Sequence, residues 1–529
     1  MILSSLRRRW PEAALIVVLA LVAFYTGLAW RTLAVVLMGG VAIFAVRRRV
    51  RDIVVGELLT VALLVVTIAI TFTIDLGQVF GGAVKQLAER YGTKSLERPL
   101  HIGRLGIQVA RGRFIVEDLR IDGLKPKDTP FFTAKTILVD LPWWQVFNSR
   151  EFFIRSLEMS DWTIQLEKFA DGDNLPKLKL ESNEPQGPKR FTTTLYYMHA
   201  YRGQFTYIDH GTWTTVARNL DVYVRHNTGD YLGTASITDG MVKIKDYLPM
   251  RSDMRVTFKV DGGLIRLPEI VLDTDGAHSL VTGQIDLANW PEMVYNVDSR
   301  VNLWRMREIF FANESWRSRG EARFKGTFHL FKGGHQLKGD FASALAHVNV
   351  FGFPNLRGSL VWEPHRFEVT NATARFYDGS AKFRYLMAPL SDPRQAVARW
   401  EVSYQDVDLL QLSDALQMRG VRPLGRASGQ NLLEWPLGAF SEHRGHGEVR
   451  VVPPADRMLL ARLPRPGESA IHDEAPEYGP ERDVNRFPKP TALGGQFSYR
   501  FDPQWLHVDP GHMATERTYV EFDGLTAFG

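Results

Sequence analysis

Few residues in this chain have the type and spacing that catalysis or metal binding requires. His443, His446 and Glu448 fall in the run His-Arg-Gly-His-Gly-Glu. Two imidazoles and a carboxylate are metal-ligand types, but a strand puts positions 443 and 446 on opposite faces, so the expectation is a polar turn and no metal. Asp209-His210 has the form of a base with its orienter, yet no nucleophile stands beside it, and a turn is expected there too. There is no Gly-rich phosphate loop ending in Lys-Ser or Lys-Thr, no His-Glu-x-x-His and no Gly-x-Ser-x-Gly. Neither an enzyme nor a cofactor is expected. What recurs is every second residue apolar: Trp162, Ile164 and Leu166; Phe205 and Tyr207; Val256, Phe258 and Val260; Phe324 and Phe328; Phe383 and Tyr385. The chemistry such residues offer is to take hydrocarbon out of water, worth about 0.8 kcal/mol per buried methylene.

The elements that present them are strands. The pattern is set in Arg98 to Asn174, where Leu119 and Ile121 alternate with Asp118, Arg120 and Asp122, and Ile137, Val139 and Leu141 with Leu138 and Asp140. A period of two separates an apolar from a polar face. The same grammar continues to the end of the chain, cut by turn signals such as Asp239-Gly240, Asp261-Gly262-Gly263 and Asp378-Gly379. Two short helices are expected, Leu303 to Ala312 and Asp406 to Met418. Lys177 to Arg190 reads as a loop, and 464–490, rich in Pro, Glu, Asp and Gly, as a disordered insertion. No strict internal repeat is evident. The final strand pair at 491–529 reads as a continuation that breaks off, as in a fragment of a longer protein.

The first 75 residues differ. Ala13 to Trp30, Thr32 to Val46 and Leu58 to Ile74 are uncharged apolar runs. The first and third are long enough to span a bilayer as helices, and the second, with Gly39 and Gly40, is short. They form an expected anchor of two or three transmembrane helices over 1–75. Arg7, Arg8 and Arg9, and then Arg47, Arg48, Arg49 and Arg51, place the amino terminus and the 47–56 loop in the cytoplasm. The rest of the chain then lies beyond the membrane. Leu76 to Tyr91 reads as an amphipathic helix stopping at Gly92, a spacer or a lid, within a linker over 76–97.

Composition sets limits. The 529 residues carry 64 basic and 59 acidic side chains, a net charge of +5. No basic stripe interleaved with aromatics stands out, so nucleic acid is not an expected partner. The absence of cysteine excludes disulfides, thiolate zinc sites and iron–sulfur clusters.

Three phrases carry a resemblance. Gly112 to Gly123 reads G-x-F-x-V-x-D-L-x-I-x-G. Leu138 to Phe147 runs from a strand into an aromatic segment with Trp143 and Trp144. Ile154 to Leu166 reads I-x-x-L-x-M-x-x-W-x-I-x-L and is followed by the turn Asp171 to Asn174. Together with the anchor, these resemble the amino-terminal portion of the AsmA-like proteins, which include the TamB-type and bridge-like lipid-transfer envelope proteins of bacteria. The resemblance implies a mainly β fold: amino-terminal transmembrane helices followed by an elongated, curled antiparallel β-sheet, an open taco-like groove over 98–463 and 491–529, with a few short helices. It also implies a bacterial inner-membrane protein whose bulk is periplasmic, conducting phospholipid to the outer membrane through an apolar trough. The twelve residues above are then its expected lining, and its partners are phospholipid acyl chains, the inner membrane and an outer-membrane barrel protein. For a 16-carbon chain the lining offsets on the order of 13 kcal/mol of exposure to water, provided that no interior charge interrupts it. Two other readings stand beside this one. A TamB-type factor would serve outer-membrane protein assembly or secretion with a barrel. A passive envelope scaffold would have its apolar face sealed by protein.

Overall fold

The computed structural model describes residues 38–39, 77–108, 112–125, 127–142, 151–169, 172–176, 192–210, 213–244, 247–287, 292–331, 334–392, 394–418, 422–460 and 489–527. The expected anchor (apart from Met38 and Gly39), the aromatic segment Trp143 to Phe147, the 177–190 loop and all but the last two residues of the 464–490 insertion lie outside them. Among the described residues no helix is long and apolar enough to cross a membrane. The described residues are mainly β, 69% strand with few helices, and the chain divides into two compact units, residues 1–240 and 241–529.

The first unit opens with helix α1 (Gly77–Leu96). Its strands are β1 (Leu100–His101), β2 (Arg104–Gln108), β3 (Arg113–Ile121), β4 (Phe132–Asp140), β5 (Glu151–Ile154), β6 (Ser156–Phe169), β7 (Gly172–Asp173), β8 (Thr192–Leu195), β9 (Tyr197–Asp209) and β10 (Trp213–Asn227). α1 runs past the expected stop at Gly92. The turn falls instead at Glu97, whose φ is 54°, and the Arg98 amide closes onto the Thr93 carbonyl at 3.2 Å. Gly92 serves close packing, since a Cβ there would lie 2.9 Å from Leu100 Cδ1. Glu89 accepts from the Ile102 amide at 2.8 Å, which ties the helix to the strands.

β2, β3, β4 and β6 pair antiparallel in that order, and β9 pairs antiparallel with β10. β6 and β9, however, run parallel, as do the short pairs β5–β8 and β22 (Pro423–Leu424) with β25 (Thr491–Ala492). The expected purely antiparallel sheet is therefore corrected to a mixed one. A parallel neighbour needs a crossover rather than a hairpin.

β11 (Asp230–Ile244) runs through the residue where the units divide. The second unit continues with β12 (Met250–Asp261), β13 (Leu264–Thr274), β14 (Ala277–Asp286), β15 (Met293–Asn302), helix α2 (Leu303–Phe310), β16 (Ser318–Phe331), β17 (Gly334–Val348), β18 (Phe351–Glu363), β19 (Arg366–Phe376), β20 (Gly379–Ala388), β21 (Val397–Asp408), helix α3 (Leu409–Ala415), β23 (Arg426–Pro436), β24 (Arg444–Val452), β26 (Gly494–Phe501), β27 (Trp505–Ala514) and β28 (Tyr519–Ala527). From β12 to β28, leaving out β22 and β25, each strand pairs antiparallel with the next. α3 is shorter than the expected 406–418. Asp406, Val407 and Asp408 complete β21, and the Asp408 side chain caps the helix by accepting from the Gln411 amide.

The apolar residues do not keep a strict period of two. In β3 they run Phe114, Val116, then Leu119, Ile121; in β4, Phe132, Ala134, then Ile137, Val139; in β6, Leu157, Met159, then Trp162, Ile164, Leu166. In β9 and β10 the same step of three separates Ala200 from Gly203 and Ala217 from Leu220. The residue inside the step takes a left-handed backbone in four of these strands, at Asp118, Asp161, Arg202 and Asn219 (φ 52, 51, 52 and 48°). Such a kink inserts one residue and restores the original face beyond it. Residues from both sides of the kink then pack together, with Ala134, Trp162 and Ala200 at the centre and Ile137, Met159, Ile164 and Leu220 around them. Asp161 and Arg202, kink residues on neighbouring strands, form a two-point ion pair at 2.7 Å for each bond. The second unit repeats the device at Asn355, Asn371 and Asp406 (φ 54, 51 and 53°).

Candidate apolar ligand face

Register fixes which side chains share a face. In the first unit Phe132, Ile164, Phe205 and Ala217 are successive partners across four strands, and Leu166 pairs with Tyr207. In the second unit Val256, Ile270, Val281, Val297 and Gly326 follow one another, as do Ser299, Phe324, Phe341 and Gly358. Further along come Tyr385, Trp400 and Leu433, then Phe383, Val402 and Asn431. All twelve expected lining residues therefore stand on the apolar face of their own unit. Trp162 and Phe324 are buried, and Ile164, Leu166, Phe205, Tyr207, Val256, Phe258, Val260, Phe328, Phe383 and Tyr385 are buried or half-buried. The strand-mates in the opposite phase are Thr163, Gln165 and Glu167, or Arg323, Lys325 and Thr327. At the register positions named, the apolar face carries no Asp, Glu, Lys or Arg.

Aromatic rings on this face lie down over glycines. The Trp162 ring covers Gly203 so closely that no Cβ fits there, and at Gly358 a Cβ would meet Phe341 Cζ at 2.9 Å. The phenols on the face behave as groups in a poor solvent. Desolvation pushes Tyr404 up to about 12 and raises Tyr295, Tyr385 and Tyr499 above the usual phenol range. On the polar face, hydrogen bonds from Arg323 and then Lys325 hold the Asp298 carboxyl down to about 2.

One stretch of the apolar face in the second unit is covered. The chain leaves β15 at Asn302 and re-enters β16 at Ser318; between them it crosses the face. Phe310 meets Trp362 edge-on at 5.6 Å and Phe311 meets Phe367 at 5.5 Å. Glu314, only 3% exposed, accepts from Trp435 Nε1 and from the Gly438 amide, each at 2.9 Å. Trp362, Phe367, Met387, Ala398 and Trp435 form one register row, so the crossing lies over β18 to β23. The Arg307 guanidinium braces it by donating to the Glu314 carbonyl and, at 2.8 Å, to the Trp316 carbonyl. The expectation of an unbroken, uncharged lining fails here, because the crossing brings the Glu314 carboxylate onto the face. Sequence reasoning found the helix at 303–312 but not Glu314, Arg307 or Trp435. The one available signal was an acid between the aromatic pair Phe310–Phe311 and Trp316.

The remaining candidates are set apart from this face or at its rim. His443 stacks on Phe440 at 4.9 Å and bonds the Phe440 carbonyl, while His446 is exposed on β24. His210 bonds Glu167 at 3.0 Å and stacks on Phe169, and Asp209 pairs with Lys168 at 3.3 Å. Among the described residues no group of three or more His, Asp or Glu is placed to hold a metal ion. On α1, Val84 and Leu87 are exposed, at 38% and 54%. Trp143, Trp144 and Phe147 lie outside the described residues. No family model, curated protein or solved structure matches the chain.

Proposed function

We propose that this chain is an AsmA-like envelope protein, held in a bacterial inner membrane by its amino-terminal apolar runs, whose periplasmic strands carry phospholipid acyl chains toward the outer membrane. The observation that supports it is the apolar face itself. In each unit it continues from strand to strand; nine of the twelve named side chains keep partial exposure to solvent, while Trp162, Val256 and Phe324 are buried, and left-handed kinks at Asp118, Asp161, Arg202 and Asn219 restore the face where the alternation slips in β3, β6, β9 and β10. A face built only for a protein core would be covered along its length by a second layer. Acyl chains gain about 0.8 kcal/mol per methylene on such a surface, while head groups stay in water. No catalytic residue takes part.

The test is lipid retention. The full chain, purified in mild detergent and examined by native mass spectrometry, should carry phospholipid. Phe258→Asp, on the apolar face, should lose most of it, and Lys259→Asp, on the other face, should keep it. Equal retention in both variants, or no lipid in the unaltered chain, counts against the proposal. The crossing at 303–317 favours a second reading, a scaffold whose face is sealed by protein, and an empty chain would select it.

A further inference from the structure

We propose that the 303–317 crossing is a gate: a latched strap that must lift from the apolar face before an acyl chain can pass over β18 to β23 of the second unit. This rests on the lipid-carrying reading above. The strap has a fixed end and a releasable end. At the fixed end, the Asn302 side chain caps α2 by accepting from the Arg305 amide at 3.0 Å, and Ser318 Oγ donates to the Leu303 carbonyl at 2.8 Å. Both residues belong to paired strands of the ladder. At the far end the strap is held by aromatic packing of Phe310 and Phe311, by the buried Ile309, whose carbonyl accepts from the Leu248 amide at 3.3 Å, and by two hydrogen bonds to one carboxylate, Glu314.

The choice of Glu at 314 is informative. A strap needed only to fill the trough is best served by an apolar residue, since burying a carboxylate costs more than hydrocarbon packing does. A carboxylate with two donors closes firmly while dry, and releases to any competing source of water or polar donors. An arriving phospholipid head group with its hydration supplies both. The donors, Trp435 Nε1 and the Gly438 amide, are 121 and 124 residues away in the chain, so the latch joins the strap to a distant part of the ladder rather than to its own hairpin.

The cysteine-free sequence allows a clean lock. A Cβ built on Gly438 lies 3.7 Å from Asn313 Cβ, within the range a disulfide spans. The assay is transfer of a fluorescent phosphatidylethanolamine between phosphatidylcholine–phosphatidylglycerol vesicles by the full chain reconstituted in the donor vesicles. Asn313→Cys/Gly438→Cys should transfer at least tenfold more slowly when oxidised than when reduced. Each single variant should show no redox response, which also measures any cost of a side chain at Gly438, whose φ is +83°. Glu314→Gln and Trp435→Phe test the latch without a crosslink and should each speed transfer several-fold. Equal rates for the oxidised and reduced double variant, or latch variants no faster than the unaltered chain, overturn the gate. Failure of the underlying reading is separate: the unaltered chain would then neither retain nor transfer lipid.

Discussion

At the scale of single residues, function follows from what a position lacks as much as from what it carries. Gly203 has no Cβ because the Trp162 ring occupies that space. Gly203→Ala should therefore destabilise the first unit by about 1–3 kcal/mol through overpacking, read as a lower denaturant midpoint. Gly524, where a Cβ meets nothing within 4 Å, is the matched control, and Gly524→Ala should leave the midpoint of the second unit unchanged. The place of these twelve residues on the apolar face was legible in the sequence because each sits in a window with an unbroken period of two. Glu314 and Trp435 were not, because an isolated acid and an isolated indole 121 residues apart give no periodic signal.

At the scale of elements, the kinks decide whether a strand keeps its apolar residues on one face. The phrase V-x-D-L at 116–119 and the phrase M-x-x-W at 159–162 both contain the step of three, but alternation alone does not say that the two halves of a strand rejoin on one face. That became legible only through register and the left-handed φ at Asp118 and Asp161. Asn and Asp favour these positions because their short polar side chains tolerate that backbone. Asn371→Val should destabilise the second unit by about 1–2 kcal/mol, and Asn371→Gly should not; thermal unfolding of the two variants decides it. The parallel β6–β9 pair was likewise beyond the sequence, since alternation fixes a strand's faces and not its neighbour. The short helices were legible from their periodicity, though the route of α2 over the sheet was not.

At the scale of the whole molecule, the lipid-carrying reading proposed above makes the second unit a series path. The fifteen consecutively paired strands of the second unit, at about 4.8 Å each, give roughly 70 Å of ladder along its curve. Barriers in series add as resistances, so the larger one sets the rate. Phe258→Asp and Phe497→Asp, both on the apolar face, should each slow transfer strongly in the vesicle assay. The double variant should be no more than about twofold slower than the worse single one. Multiplying effects would indicate two independent binding sites instead, since uncoupled free energies add.

The most direct measurement is photocrosslinking in living cells, with a photoreactive residue placed in turn at Ile164, Phe258 and Phe328 on the apolar face and at Gln165 and Lys259 on the polar one. The expected result is phospholipid captured at the first three positions and not at the last two. Capture at Gln165 and Lys259 alone, or at none of the five, contradicts the central claim that the uncovered apolar face of the strands is where acyl chains travel.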